Sequence, residues 1–393
     1  MSQGASRDMP SLLYSEAEDD LRAAVRSLLD DRGGWPSVLA RTETDEPYDT
    51  GLWRALAADV GCAGLLIPED QGGAGASYRE AAVVAEEVGR AVAPVPYLGS
   101  AVVATAALLE AADTTLLENL AAGTATVALA VPFAAGPPAA WPSVDGALSG
   151  VRVVAPHRAD PAGQARLTGT VASVADALPA GVLLVPADGV PAGLYAVDRA
   201  APGLTVAPVV SLDMTRQLAD LRLDDVPARC VVSGEAAVRA VQAALLAGAA
   251  MLAAEQLGSA QRCLDMTVSY LKERHQFARQ VGSFQALKHR LADVWVAITQ
   301  ARAAARYAAA CLASGDPDTP VAVALAKASC SEAALLAAQE CVQLHGGIGF
   351  TWEHPAHLFL KRAKSSSIGF GTPDWHRAAL GELAGLKAAG GPR

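Results

Sequence analysis

Residues 273–285 read ERHQFARQVGSFQ, and they interrupt a helical pattern in the last third of the chain. Before this stretch, apolar and alanine residues recur at helical spacing from about residue 236 to 273. A second helical run extends to about Leu312 and starts at Ser283, whose hydroxyl suits an N-cap. Two long helices joined by a short loop form an antiparallel pair, so this stretch predicts a helical bundle.

The rest of the C-terminal sequence continues the bundle. A third helix is predicted to begin near Pro320, because the first helical position does not need a backbone N–H. It is predicted to end at the pair Gly346-Gly347. Two shorter helices are expected over about 356–365 and 373–387. Residues 234–393 are therefore predicted to form a C-terminal four-helix bundle.

The sequence changes character twice before the bundle. Helical spacing of apolar residues from Ser15 to about residue 123 predicts an N-terminal helical domain over 1–124, broken by the loop PEDQGGAG at 68–75. Residues 125–233 are rich in Val, Pro and Gly, and short apolar runs at 126–131 and 181–186 predict a middle β-domain. The expected fold class is mainly α with one β-domain.

Composition excludes several classes of function. The net charge of -10, from 31 Lys and Arg against 41 Asp and Glu, argues against a nucleic-acid partner. The longest clean apolar run, 243–254, is too short to span a bilayer, and residues 1–14 lack a signal-peptide pattern, so a cytoplasmic protein is expected. The six cysteines show no metal-ligand spacing, which indicates reduced, buried thiols and no metal site.

Two sequence blocks resemble the acyl-CoA dehydrogenase family. Residues 273–285, followed by Lys288 and LAD at 291–293, are similar to the family's signature of an arginine, a Q-F pair, a short loop, F-Q, K and L-A-D. Residues 343–353, QLHGGIGFTWE, resemble its segment Q-x-x-G-G-x-G-[YF]-x-x-E, and GLLIPEDQGG at 64–73 also matches. The resemblance covers nearly the whole chain and is weakest in the middle. It implies a β-barrel-like middle domain, FAD as cofactor and acyl-CoA as substrate.

In the resembled family, both blocks reach across a subunit boundary to the ADP part of a neighbouring subunit's FAD. An arginine offers a planar guanidinium fork to a pyrophosphate, and glycines leave the backbone open to close approach. Taken singly, the arginine also fits a solvated surface residue and the glycine pair a helix C-cap. The resemblance assigns the flavin contacts to Arg274, Gln276, Phe277, Phe284, Gln285, Gln343, Gly346 and Gly347.

The catalytic base of the family is missing at both of its usual positions. The family removes the substrate's α-proton with a glutamate, commonly in a Y-E-G-T segment, and Phe370 stands at that place here. Some relatives place the base on the first long bundle helix, where this chain has Gly248. Glu255 is displaced from Gly248 by two turns, roughly 10 Å, beyond the ~3 Å reach of a base, so we interpret it as a packing carboxylate. We interpret His345 and His376 as structural.

The sequence also departs from the family where the flavin ring is held. The family's loop reads close to T-E-P-x-A-G-S and a later segment W-I-T-N. The corresponding stretches here are AVPFAAG at 130–136 and GTVASV at 169–174, which lack the glutamate, the serine and the tryptophan. The chain is therefore predicted to supply ADP-side contacts to another chain's flavin without holding an isoalloxazine ring itself.

The leading hypothesis is the β-type subunit of an α₂β₂ acyl-CoA dehydrogenase, with FAD shared across the subunit interface. A homologous catalytic subunit would supply the base, the flavin cradle and the acyl-CoA site, and electrons would pass to an external acceptor. The resemblance implies a bulky substrate, since family heterotetramers act on large thioesters including steroid side chains. Two alternatives stay open: a self-sufficient flavoenzyme with altered chemistry such as oxygenation, and a flavin-free scaffold subunit.

Overall fold

The computed structural model describes residues 11–44, 46–137, 151–154, 165–189 and 192–386. Helices occupy the first and last thirds and strands occupy the middle, which confirms the expected fold class. The N-terminal helices are α1 (Glu16–Arg32), α2 (Trp35–Thr42), α3 (Thr50–Arg54), α4 (Tyr78–Ala91), α5 (Thr105–Ala111) and α6 (Thr114–Ala121), with π-helical stretches at Ala55–Asp59 and Tyr97–Ala104.

Local sequence sets the boundaries of these helices. Ser15 and Ser77 start α1 and α4 with capping boxes, in which the serine oxygen accepts a backbone N–H and the glutamate three residues later accepts the serine N–H. The predicted loop at 68–75 lies between α3 and α4. It needs glycine at Gly73, because a Cβ there would lie 2.0 Å from the carbonyl oxygen of Ile67.

The middle of the chain forms a mixed seven-stranded sheet. Its strands are β1 (Val127–Leu129), β2 (Val151–Val154), β3 (Ala165–Ala175), β4 (Val182–Ala187), β5 (Gly193–Asp198), β6 (Leu204–Val209) and β7 (Leu218–Ser233). The order is β1-β4-β5-β7-β3-β2, with β6 also paired to β7, and β1 and β4 run parallel. Strand β7 pairs with β5 through one end and with β3 and β6 through the other, so this strand holds both halves of the sheet together.

The C-terminal helices are α7 (Glu235–Glu273), α8 (Gln285–Ser314), α9 (Thr319–His345), α10 (Ala356–Ile368) and α11 (Pro373–Leu383), with a small hairpin of β8 (His275–Gln276) and β9 (Arg279–Gln280) between α7 and α8. The predicted N-cap at Ser283 is wrong. Ser283 ends a 3-10 turn, its hydroxyl donates to the carbonyl of Gln280, and Phe284 is the capping residue of α8. Helix α10 extends past the predicted end at residue 365. Helix α11 ends at Leu383, and the predicted end at Lys387 lies outside the described residues.

The N-terminal domain and the bundle meet along α4 and α7 at backbone distance. A Cβ on Gly89 of α4 would lie 2.0 Å from the carbonyl oxygen of Glu255, and a Cβ on Gly258 of α7 would lie 1.8 Å from that of Glu86. Ser259 reinforces the contact by donating to the carbonyl of Gly89 at 2.8 Å. The helices pack this closely only because both contact positions are glycine.

The apolar helices of the bundle are core helices. The helices within Glu235–Glu273 and Thr319–Phe350 are long and apolar enough to span a membrane, but about two-thirds of each apolar window is buried inside the protein. The expectation of buried thiols holds for Cys62, Cys263, Cys311, Cys330 and Cys341. It is wrong for Cys230, which is exposed near the end of β7, where the regular alternation of inward and outward residues is lost.

Candidate functional site

Gly248 and Phe370, which stand at the two usual positions of the family's catalytic base, lie in direct contact. Gly248 is buried in α7, and Phe370 follows the C-terminal end of α10. A Cβ built on Gly248 would lie 2.7 Å from Cζ of Phe370 and 3.0 Å from a methyl carbon of Val103. The phenyl ring therefore fills the space beside Gly248, and neither position offers a proton acceptor.

The backbone holds Phe370 in this place from both sides. Its N–H donates to the carbonyl of Phe133 at 2.7 Å, and its carbonyl accepts the Nε2 proton of His376 at 2.8 Å. The residue has φ +51°, a left-handed conformation that is rare for an aromatic side chain. The ring of Phe133 packs edge-on against Phe370 with 5.6 Å between centroids, and a Cβ on Gly369 would lie 2.3 Å from it.

The two stretches that replace the family's flavin-holding segments also meet here. Phe133 lies in 130–136, and its N–H donates to the carbonyl of Ser173 in 169–174 at 2.9 Å. A cavity lined by Val131, Phe133, Ala175 and Phe370 has a volume of only about 20 Å³. A cavity of that size holds about one water molecule and is far smaller than an isoalloxazine ring or an acyl chain. Phe133, Phe370 and the apolar walls thus close the site in this chain.

Asp176 is a carboxylate at the edge of this cavity that sequence reasoning missed. It is buried, and burial raises the pKa of its carboxyl group above the usual range. One oxygen accepts the hydroxyl of Tyr48 at 2.9 Å, and the other accepts the N–H of Gly99 at 2.9 Å. Both oxygens are therefore engaged in holding the N-terminal domain against the sheet. No sequence motif marked Asp176, because its partners lie 77 and 128 residues away.

Glu255 is part of a buried ion network. Arg216 donates to both of its oxygens at 2.5 Å, and Arg362 donates through Nε at 2.9 Å. Arg362 also contacts Asp213 and Thr215 in the loop before β7. Burial alone would raise the pKa of Glu255, but the two guanidinium groups outweigh burial and hold the pKa below its usual range. An ionised carboxylate clamped by two arginines is a packing group, as the sequence analysis had interpreted it.

The two histidines near the site are likewise engaged in structural contacts. Burial lowers the pKa of His376 to about 4, so the ring is neutral and serves to hold the carbonyl of Phe370. His345 donates its Nδ1 proton to the carbonyl of Cys341 at 2.6 Å and stacks on Tyr270 with 4.5 Å between ring centroids. Neither ring lines the cavity beside Phe370.

The residues proposed to contact a flavin lie elsewhere, on an exposed surface formed by the hairpin and the ends of two helices. Arg274 follows α7, Gln276 ends β8, and Phe277 lies in the turn of the hairpin with its side chain 86% exposed. Phe284 and Gln285 start α8, and the rings of Phe277 and Phe284 pack edge-on at 6.1 Å.

The second block joins this surface through Tyr270 and His345. Tyr270 lies one turn before Arg274, and His345 directly precedes Gly346, so their stacked rings place the ends of α7 and α9 side by side. Gly346 has φ +62° and ψ -137°, a backbone that essentially only glycine adopts. A Cβ on Gly346 or Gly347 would have no atom within 4 Å, and Gln343 is exposed beside them.

The chemistry of this surface is compatible with the ADP part of a flavin, whereas the cavity beside Phe370 is too small for the ring. Exposed backbone at Gly346 and Gly347 and the uncommitted guanidinium of Arg274 suit a pyrophosphate. Within the described ranges, Arg274 forms no ion pair with a carboxylate. Two aromatic side chains of the second block, Phe350 at 76% and Trp352 at 54%, are also exposed.

Comparisons with known proteins agree with this architecture. The sequence profile of the "Acyl-CoA dehydrogenase, N-terminal domain" family matches residues 15–131, and that of the "Acyl-CoA dehydrogenase, C-terminal domain" family matches residues 238–384. The chain is 38% identical over 354 residues to acyl-CoA dehydrogenase IpdE2 of Mycobacterium tuberculosis, which covers 90% of this chain and 92% of that protein.

Two solved complexes are similar in structure. One chain of the Tcur3481–Tcur3483 steroid ACAD is 33% identical with a TM-score of 0.80, over 94% of this chain and 98% of that chain. One chain of the ChsE4–ChsE5 complex from Mycobacterium tuberculosis is 26% identical with a TM-score of 0.82, over 97% and 100%. The matched sequence profiles, the close relative and the shared fold show that this chain belongs to the acyl-CoA dehydrogenase family.

Proposed function

We propose that this chain is the non-catalytic subunit of a two-subunit FAD-dependent acyl-CoA dehydrogenase. The observation that carries the proposal is that Gly248, Phe370 and Phe133 fill one volume, which removes the base and closes the space for substrate and flavin ring in the same place. The open flavin-facing surface around Arg274 and Gly346 supports a role toward a flavin held by another chain.

In this proposal the partner is a homologous catalytic subunit that supplies the glutamate base and the ring cradle. Members of the family bind FAD, which when bound at the shared interface would accept the hydride from the acyl Cβ. This chain's part is to bind and orient. The guanidinium of Arg274 would donate bidentate hydrogen bonds to the pyrophosphate, and the backbone at Gly346 and Gly347 would approach the phosphates closely. Phe277 and Phe284 would cover the flavin from water.

The substrate class follows from the relatives. One structural relative is described as a steroid ACAD, and both similar complexes pair two different subunits. We infer a bulky, steroid-derived acyl-CoA thioester bound on the partner, α,β-dehydrogenation as the reaction, an external electron acceptor and a cytoplasmic location. The proposed domain division stays at 1–124, 125–233 and 234–393.

The alternative of a self-sufficient flavoenzyme with altered chemistry, such as oxygenation, needs a flavin ring inside this chain. A cavity of about 20 Å³ at the closed site speaks against it. The alternative of a flavin-free scaffold gives no role to the guanidinium of Arg274, which forms no ion pair within the described ranges, or to the open backbone at Gly347. The shared-flavin proposal accounts for both features.

The test is to purify the chain alone and together with a co-expressed homologous subunit, and to record visible spectra and dehydrogenase turnover. The chain alone is expected to be colourless and inactive. The complex is expected to be yellow and active with one flavin for each pair of unlike subunits. A yellow, active homo-oligomer of this chain would refute the proposal, and a colourless complex would favour the scaffold alternative.

A further inference from the structure

Arg279 lies opposite a proposed flavin-contact residue on the β8–β9 hairpin. The two strands pair antiparallel, with Gln276 directly across from Arg279. Phe277 and Ala278 form the turn between them with φ +53° and +59°, the two left-handed residues of a tight hairpin turn. Residues directly opposite in an antiparallel pair project from the same face, so the side chains of Arg279 and Gln276 share one face.

A second proposed flavin-contact residue fixes the Arg279 side chain. Its Cζ lies 3.8 Å from the centroid of the Phe284 ring, and the Phe277 ring packs edge-on against the same ring. A guanidinium stacked by its face keeps its N–H donors free at the edge of the plane. No carboxylate forms an ion pair with Arg279 among the residues that the structure describes. The group is thus held in place while its hydrogen-bonding edge is uncommitted.

The local charge also points to an anionic ligand. Residues 272–290 hold five Lys or Arg side chains and a single acid, Glu273, in a chain whose net charge is -10. Arg290 is neutralised by Glu340, whereas Arg274 and Arg279 are exposed and form no ion pair within the described ranges. Two uncommitted guanidinium groups on one hairpin match the two negative charges of a pyrophosphate.

We propose that Arg279 is a further binding residue for the ADP half of the partner-held FAD, acting beside Arg274; this rests on the proposed function. Arg274 and Arg279 would each donate to one phosphate group. Because stacking on Phe284 already restricts the Arg279 side chain, little conformational entropy is lost when the ligand binds. Binding through Arg279 is therefore expected to exceed that of a freely moving surface arginine.

The test uses the co-purified complex with Arg279→Ala, Arg279→Lys and Arg274→Ala, and Arg239→Ala as matched control. Arg239 is exposed in the second turn of α7, roughly 50 Å along that helix from the hairpin at 1.5 Å per residue, and its replacement removes the same charge. The measurements are the FAD dissociation constant from flavin fluorescence, the ability of inorganic pyrophosphate to displace FAD, and the mass of the complex by light scattering.

We expect Arg279→Ala to weaken FAD binding about tenfold, which corresponds to about 1.4 kcal/mol, with the mass of the complex unchanged. Arg279→Lys should restore only part of the affinity, because an ammonium cannot reproduce the fork. A dissociation constant equal to that of Arg239→Ala would overturn the inference. So would dissociation of the complex even at saturating FAD, since Arg279 would then contact the partner protein.

The Arg274→Ala variant distinguishes two outcomes: that Arg279 does not bind FAD, and that the chain does not bind the partner's FAD at all. If Arg274→Ala weakens FAD binding and Arg279→Ala does not, the shared flavin stands and only the role of Arg279 falls. If neither variant changes FAD binding, the shared-flavin proposal falls with it.

Discussion

Truncation of Phe370 tests whether the base position is closed as described. The ring is 4% exposed and packs against Phe133, Val103 and the open face of Gly248. Removing a buried phenylalanine ring from a core costs about 3–5 kcal/mol, from lost burial and from the cavity left behind. We therefore expect Phe370→Ala to lower the free energy of unfolding of the purified chain by about 3–5 kcal/mol.

The backbone at this position allows a second, sharper comparison. Phe370 has φ +51°, and alanine keeps the Cβ that is disfavoured there, whereas glycine has none. Relief of the left-handed strain is worth about 1–2 kcal/mol, and the greater freedom of glycine in the unfolded chain costs about 0.5–1 kcal/mol. Phe370→Gly should therefore be at least as stable as Phe370→Ala, although it removes more of the side chain.

Urea unfolding followed by circular dichroism measures both variants, with Phe350→Ala as control. Phe350 is 76% exposed, so its truncation should change the unfolding free energy by less than about 0.5 kcal/mol. Benzene should restore part of the stability of Phe370→Ala, because the new cavity is apolar and matches one ring. If Phe370→Ala costs no more than Phe350→Ala, the ring does not fill the site and the argument for a closed site fails.

Four further predictions concern the Glu255 network, the contact between α4 and α7, and Phe370. Glu255→Gln should destabilise the chain by about 3–5 kcal/mol, because it leaves the buried guanidinium of Arg216 without its carboxylate and that of Arg362 with only Asp213 at 3.5 Å; a loss below about 1 kcal/mol in urea unfolding would contradict the network. The pKa of Glu255 is lowered in the folded chain, so its stabilisation is present above its unfolded pKa, about 4.3, and lost as pH falls below it; the acid-induced loss of stability should shrink in Glu255→Gln. Gly89→Ala should cost about 1–3 kcal/mol by forcing α4 from α7, whereas Gly381→Ala, with nothing within 4 Å, should be neutral or stabilising; equal effects in thermal unfolding would refute the close contact. Phe370→Glu should not give an active chain on its own, since the flavin space stays closed by Phe133, and measurable acyl-CoA turnover by this variant without a partner would show that the space is open.

The sequence predicted the fold class correctly, because it depends on local patterns of apolar spacing and turn residues. The missing base stays a prediction. Phe370 and Gly248 were found from motif positions, and the structure adds that they touch, which no spacing along the chain reveals. The partners of Glu255 were not predictable, since Arg216 and Arg362 lie 39 and 107 residues away and no periodicity joins them.

The wrong N-cap prediction and the missed role of Arg279 both have local structural causes. Ser283 had the right residue type for an N-cap, but the preceding hairpin ends in a 3-10 turn that uses its hydroxyl first. The sequence did not predict a binding role for Arg279, because a cation stacked on an aromatic ring has no sequence signature of its own. Only the strand pairing of the hairpin shows that Arg279 lies directly across from Gln276, a proposed flavin-contact residue.

Because Gly248 and Phe370 share one volume, substitutions at the two positions are accepted only in a certain order. A carboxylate can enter at Gly248 only after the ring at Phe370 has become small, because a Cβ alone would already lie 2.7 Å from it. If the carboxylate at position 248 comes first, the core is overpacked. If Phe370 is replaced first, the chain passes through an intermediate that has lost core packing. Mutational paths to a carboxylate at Gly248 therefore have a fixed order and an unstable intermediate. Under the proposed function, packing around Phe370 would keep a carboxylate out of position 248, in addition to the absence of an acidic residue there.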